Sequence, residues 1–254
     1  VQEDMDQEKL ARVFSNTDLT VLPVVDHFGH MKGIVTLDDV VQVVQEEATE
    51  DIQKYGGMEA LDAPYFKIDF LSMVKKRAGW LLALFIGEMF TATAMGHYEN
   101  EIERAVILAV FLPLIISSGG NSGSQASTLI IRAMALGEVK IRDWWRVFFR
   151  EASSGLALGF ILGLVGLCRI LLWTGLKWAN YGEHFILIAF TVALSLVGIV
   201  LWGTLAGSML PFLLRTLGFD PAASSAPFVA TLVDVTGLII YFSVASILLH
   251  GTLL

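Results

Sequence analysis

The sequence predicts an α-helical polytopic membrane protein with five transmembrane helices, preceded by a small α/β segment. Three observations carry that reading. The chain of 254 residues is 55% hydrophobic. After residue 78 its apolar residues gather into long blocks, instead of recurring at helix or strand period as in a soluble core. Five blocks are long enough to cross a bilayer as a helix, which takes roughly 20 residues; they cover about 79–98, 104–131, 152–174, 185–211 and 225–249.

The second block is the least regular. It holds Pro113 and then Ser117-Ser118-Gly119-Gly120-Asn121-Ser122-Gly123-Ser124-Gln125, a run no lipid-facing helix would choose. Orientation follows from Lys and Arg in the short connections. Nine basic residues (Lys75, Lys76, Arg77, Arg132, Lys140, Arg142, Arg146, Arg150 and Arg215) fall on one side, against three (Arg104, Arg169 and Lys177) on the other. The N-terminal segment is therefore expected in the cytosol and the C-terminus outside, in an inner or plasma membrane. Trp144-Trp145-Arg146-Val147-Phe148-Phe149-Arg150 mixes aromatic and basic residues as an interfacial segment does.

Charge divides the chain at the same place. Residues 1–74 carry 15 acids against 5 bases, and residues 75–254 carry 10 acids against 12 bases, so the net charge of −8 belongs to the N-terminal segment. An acidic surface excludes nucleic acid as a partner, which needs a basic footprint. It suits solubility or cation binding. Cys168 is the one cysteine, so neither an intrachain disulfide nor a Cys/His metal cluster is expected. No nucleophile–base pair and no phosphate loop with its lysine occurs, and an enzyme or an ATP-driven pump is not expected.

In the N-terminal segment, Leu22-Pro23-Val24-Val25-Asp26 reads as a strand, His27-Phe28-Gly29-His30 as a turn and Gly33-Ile34-Val35-Thr36 as a second strand. Leu37-Asp38-Asp39 then opens a helix that continues to about Tyr55, with Thr36 or Asp38 as its cap. The run resembles the second half of a CBS domain, a module that binds regulatory ligands. Along the helix, Glu47, Glu50 and Asp51 share one face. Two readings fit that face: a hard cation held between carboxylates, or a solvated acidic surface.

An acid inside a span costs roughly 2.5–3.5 kcal/mol at the bilayer centre, which makes it a functional candidate. Asp234 lies well inside the fifth block and Glu88 inside the first. Each could also be structural, hydrogen-bonded to a neighbouring helix. The second block offers complementary groups. Gly119, Gly120 and Gly123 allow close helix approach and free carbonyl groups, while Asn121, Ser124, Gln125 and Thr128 add neutral polar side chains. One carboxylate with polar surroundings suits a small cation that keeps its water, as Mg2+ does.

Three motifs in order resemble the MgtE family of magnesium channels over essentially the whole chain. They are Glu47-Ala48-Thr49-Glu50-Asp51; Pro113 with Gly119-Gly120-Asn121-Ser122-Gly123-Ser124-Gln125; and Asp220-Pro221-Ala222 followed by Pro227-Phe228-Val229-Ala230-Thr231-Leu232-Val233-Asp234-Val235-Thr236-Gly237. The resemblance implies a homodimer in the lipid bilayer, with a pore between subunits lined by the second and fifth spans. By the same resemblance, Asp234 and the Ala230 carbonyl would coordinate hydrated Mg2+. Asn121, Ser124, Gln125, Thr128 and Ala226 would line the path. Asp39, Glu47, Glu50, Asp51, Glu8 and Asp18 would bind regulatory Mg2+, which closes the pore. The implied organisation is a partial CBS domain with an acidic helix over 1–55, a connecting helix over 56–78 and a pore domain over 79–254. The chain is expected to begin partway through the second of two CBS motifs. It departs from some members at Ser124 and Ala226, where they carry asparagine. The leading expectation is a Mg2+-selective channel gated by cytosolic Mg2+. The alternative is an exchanger of Mg2+ or Co2+ against Na+ or protons, with Glu88 as a coupling residue, and a non-transporting receptor is a third.

Overall fold

The N-terminal segment folds around a small apolar centre of Phe14, Leu22 and Val40. The computed structural model of the chain describes residues 1–253 apart from the side chain of Glu8. Helix α1 (Gln7–Ser15) is followed by strands β1 (Val21–Val25) and β2 (Met31–Thr36), which pair antiparallel with Leu22 opposite Val35. The turn between them is held by Asp26, whose Oδ1 accepts the Phe28 and His30 amides, each at 2.9 Å. Those amides, that of His30 foremost, hold the Asp26 carboxyl below the usual carboxylate range.

Helix α2 (Leu37–Tyr55) starts where Thr36 leaves the sheet. Asp39 accepts from the Thr36 amide at 3.0 Å and from its hydroxyl at 2.7 Å, which closes the first turn. The connecting helix expected over 56–78 takes another form. Residues 56–69 run as turns, because Gly56-Gly57 ends α2, with Gly57 at φ +75°, and Pro64 keeps the segment from resuming a helix. Asp69 then caps α3 (Phe70–His97), accepting the Leu71 amide at 3.0 Å, and α3 carries residues 70–78 straight into the first span.

Among the described residues five helical stretches are long and apolar enough to cross a membrane, covering Phe70–His97, Val106–Ala135, Ile141–Gly175, Phe185–Thr216 and Ala226–Leu249. The second is broken. After α4 (Glu99–Arg104) come a short α5 (Val106–Ala109) and then α6 (Leu112–Ala135), with Pro113 in its first turn, where proline's missing amide costs nothing. The Tyr241 hydroxyl donates to the Leu108 carbonyl at 3.0 Å, satisfying a backbone group at the break. Contrary to expectation, Ser117 to Gln125 stays within one regular helix, so its glycines free no carbonyls.

The last three spans are α7 (Trp144–Gly175), α8 (Phe185–Thr216) and α9 (Ala226–Leu249). Helix α8 is the centre of the bundle and packs against α6, α7 and α9. Its Ile188, Val192, Leu196 and Ile199 meet Ile115, Ile170, Val233 and Phe242 in one buried core. Glycines set these spacings. A Cβ on Gly159 of α7 would lie 2.9 Å from the Val197 Cα and carbonyl oxygen of α8. One on Gly123 of α6 would lie 2.8 Å from the Gly203 oxygen.

Replacing Gly159 by Ala should therefore lower unfolding stability in detergent by about 1–3 kcal/mol, the usual cost of overpacking. Gly175→Ala on the same helix, where nothing lies within 4 Å of an added Cβ, should leave it unchanged. Thermal unfolding of the two variants followed by helical circular dichroism is the check; equal midpoints would refute the tight α7–α8 contact.

Candidate functional site

Helix α6 has two faces of opposite character. Gly119, Gly120, Ser122, Gly123, Ala126 and Ser127 are buried against α8 and α9. Ser117, Asn121, Gln125 and Thr128 follow one another at helical spacing on the other face and are exposed. Ser124 stands between the two, half-buried, and its hydroxyl donates to the Ala226 carbonyl at 3.2 Å. One turn further on, Ser127 donates to the Ser224 carbonyl at 3.0 Å. These bonds fasten the polar helix to the start of α9.

Along α9, Ala226, Ala230 and Asp234 recur every fourth residue and are each half-buried, forming a strip beside the polar face of α6. The strips adjoin because position 120 is glycine. A Cβ there would sit 3.4 Å from the Ala230 Cβ and 3.8 Å from Asp234 Oδ1. The Ala230 carbonyl lies in regular helix and keeps a second lone pair for another partner. Asn121, Ser124, Gln125, Thr128, Ala226, Ala230 and Asp234 thus come together on one side of the single chain. The opposite side of α9 is met by α3, which packs on it and places Glu88, next to Gly87, in the neighbourhood of Asp234.

The acidic helix α2 ends against this region. The Tyr55 hydroxyl donates to the Ser124 carbonyl at 2.7 Å and touches the Thr128 hydroxyl. Lys54 Nζ lies 2.5 Å from Glu50 Oε1 and 2.8 Å from Asp220 Oδ2. Asp220 also accepts the Ala222 amide at 2.9 Å, bracing the short turn Pro221–Ala223 that leads into α9. Burial alone would disfavour the Lys54 charge, but the Asp220 and Glu50 carboxylates outweigh it and hold the ammonium above the ordinary lysine range. Residue types alone do not reveal this docking, because the partners lie 69 and 166 positions apart.

The carboxylates singled out for regulation are distributed more widely. Glu50 borders a cleft of about 800 Å³ with Glu46 and Asp62, whereas Asp51 borders a separate one of about 360 Å³ with Arg12, Arg215 and Asp220. Glu47 is half-buried on α2 and lines neither cleft. Asp39 is committed to its helix cap, and the Thr36 amide keeps its carboxyl below the usual range. Asp18 is exposed in the α1–β1 connection, and the side chain of Glu8 lies outside the described residues. Among the described residues no three acidic, histidine or cysteine side chains gather closely enough to hold a metal ion.

Five spanning helices, with a carboxylate inside the fifth beside a polar helix and a strand–strand–helix unit ahead of them, define a polytopic membrane protein carrying a CBS-type segment. Comparison with known proteins agrees. A family model described as MgtE, divalent cation transporter, matches residues 112–244, and a CBS-domain model matches residues 1–46. The magnesium transporter MgtE of Thermus thermophilus is 45% identical over 251 residues, covering 99% of this chain and 54% of that protein. Those of Enterococcus faecalis and Bacillus subtilis are 34% and 30% identical, covering 96% and 97% of this chain and 51% and 52% of theirs. The chain belongs to the MgtE family. It spans about half the length of these relatives.

Proposed function

We propose that this chain carries Mg2+ across a membrane as a channel, through a path between two copies, with Asp234 as the ligand of the hydrated ion. One observation supports this above the others: the face formed by α6 and α9 is polar, carries a carboxylate and is left open by the single chain. Polar side chains and a carboxylate at membrane depth are costly against lipid and belong against protein or a water-filled path. A second copy meeting the first across this face turns two strips into a lined conduit. A homodimer is the symmetric arrangement that does so. Mg2+ keeps most of its waters, so one carboxylate per chain serves as its ligand, while Asn121, Gln125, Thr128 and the Ala230 carbonyl hold the water shell. The three relatives named above are magnesium transporters, which supports the choice of ion.

The N-terminal segment then lies in the cytosol, on the side where basic residues flank the spans, and the C-terminus lies outside. In this reading Glu47, Glu50 and Asp51, with Asp18 and Glu8, take up cytosolic Mg2+ between facing copies, while Asp39 stays in its cap. Carboxylates held together repel, and Mg2+ relieves that repulsion and draws the acidic helices together. Because α2 ends on Ser124 and Thr128, its position bears directly on the path. Coupled exchange of Mg2+ or Co2+ against Na+ or protons is the second reading, and the nearness of Glu88 to Asp234 favours it. Single-channel conductance in planar bilayers separates the two.

Asp234→Asn, which removes the charge and keeps the size, should reduce Mg2+ uptake into liposomes by at least about tenfold, as expected for losing a carboxylate's attraction for a divalent ion. Full uptake by that variant would remove Asp234 from the path. Glu47→Gln, Glu50→Gln and Asp51→Asn together should weaken inhibition by Mg2+ on the N-terminal side without altering ion selectivity. Patch recordings with Mg2+ varied on that side test this, and unchanged inhibition would leave the three as a solvated face. In a Cys168→Ala background, cysteines at Lys140 and Glu99 should react with impermeant reagents from opposite sides; reaction of both from outside contradicts the orientation.

A further inference from the structure

Helix α3 has no buried residue, yet it is not uniform around its circumference. Trp80, Leu84, Gly87, Thr91, Ala94 and Tyr98 are half-buried and recur every three or four residues, which is a single stripe along one side. That stripe packs on α9. Trp80 Nε1 donates to the Ser225 hydroxyl at 3.2 Å at one end, and Tyr98 stacks on Phe242 with centroids 4.7 Å apart at the other. Between these anchors the helices approach most closely at Gly87, where a Cβ would lie 2.6 Å from Thr231 Cγ2. Only glycine allows that approach.

The next residue is Glu88, and the close approach of Gly87 to Thr231, three positions before Asp234 on α9, sets Glu88 beside Asp234 across the α3–α9 contact. Glu88 is exposed in the single chain, so a carboxylate at membrane depth stands beside the open polar face and not within the protein interior. The Thr91 hydroxyl, one turn further along the stripe, is shielded from solvent and has no hydrogen-bond partner among the described residues. Asp234 is thereby bracketed, with Glu88 of α3 on one side and the bare backbone of Gly120 of α6 on the other.

Resting on the reading of Asp234 as ion ligand, we propose that Glu88 is a specificity-determining residue of the same path, acting as a second fixed negative charge beside Asp234 that favours divalent over monovalent cations. The physical basis is that attraction to a fixed charge scales with ion charge, so each added carboxylate benefits a divalent ion twice as much as a monovalent one. Two carboxylates held close repel, and a bound cation is one way to relieve that repulsion, a shared proton the other. Glu88 needs no direct bond to the metal. A hydrated Mg2+ beside Asp234 places its waters within reach of a second carboxylate.

The test is Mg2+ uptake by the protein reconstituted in liposomes, measured across external Mg2+ concentrations with Na+ present. Glu88→Gln should raise the half-saturating Mg2+ concentration about tenfold, the effect of one charge on a divalent ion across a water molecule. The maximal rate should change less and the preference for Mg2+ over Na+ should fall. Glu88→Asp should recover most of both. Gly87→Ala keeps both carboxylates but makes Thr231 or α3 give way, and should shift half-saturation in the same direction if α3 moves. Wild-type half-saturation and selectivity in Glu88→Gln, beside lost uptake in Asp234→Asn, would overturn this inference and leave the role of Asp234 standing. Retained uptake in Asp234→Asn would overturn both. Should Glu88→Gln fail to assemble by gel filtration, Glu88→Ala carries the test, and wild-type half-saturation there refutes the proposal.

Discussion

The architecture depends on backbone-to-backbone contact between α6 and its neighbours. A Cβ on Gly119 would fall 2.5 Å from the Ile199 Cγ2 and 2.7 Å from the Val233 Cγ1, and one on Gly203 would collide with the backbone of Gly119. Lipid offers no hydrophobic drive for helices to associate, so close packing and buried polar contacts must hold them. Glycine supplies the first. Ser122 and Thr204, whose hydroxyls are 2.5 Å apart in the buried α6–α8 seam, supply the second. Because one side of α6 is consumed in this contact, its polar side chains are forced to the other, and that division creates the open face on which Asp234 and Asn121 lie.

The same constraint explains how a polar sequence can cross a membrane as a regular helix. Small residues and hydroxyls bury without strain when each hydroxyl finds a carbonyl on its own helix or a neighbouring segment, as Ser118 does at Leu114 and Ser127 at Ser224. A hydroxyl-rich helix so fastened keeps its backbone bonds intact and spends its side chains on cross-links. The break in the second span falls at 110–111 instead, just ahead of Pro113, where the Tyr241 hydroxyl serves the Leu108 carbonyl.

Much of this is legible in the amino-acid order, for identifiable reasons. Five spans follow from the length of apolar runs, and Asp234 stands out because a carboxylate there is expensive. The capped start of α2 follows from Thr36 and the acids of the first turn. Contacts distant in sequence are not legible in the same way. Tyr55 and Lys54 look like ordinary helix-end residues until α2 is seen against Ser124 and Asp220. Glu88 looks like an isolated acid until Gly87 is seen to admit Thr231. The glycines of α6 are readable as small but not as buried, so their run suggests a loosened helix when packing in fact keeps it regular.

The one-sided attachment of α3 has a consequence for biosynthesis. Its stripe partner α9 begins at Ala226, more than a hundred residues after α3 ends at His97. Chains emerge N-terminus first. Helix α3, the least apolar of the five spans, must therefore enter the bilayer and wait there, with Gly87 and Glu88 lacking their partners, until the last helix is made. During that interval it has only its own hydrophobicity and its contacts with earlier chain, such as Lys76 with Asp62, to hold it. The marginal first span makes completion of the fifth the step that commits the chain to its place in the membrane. A chain truncated before α9 would be prone to lose its first span and become a substrate for membrane quality control.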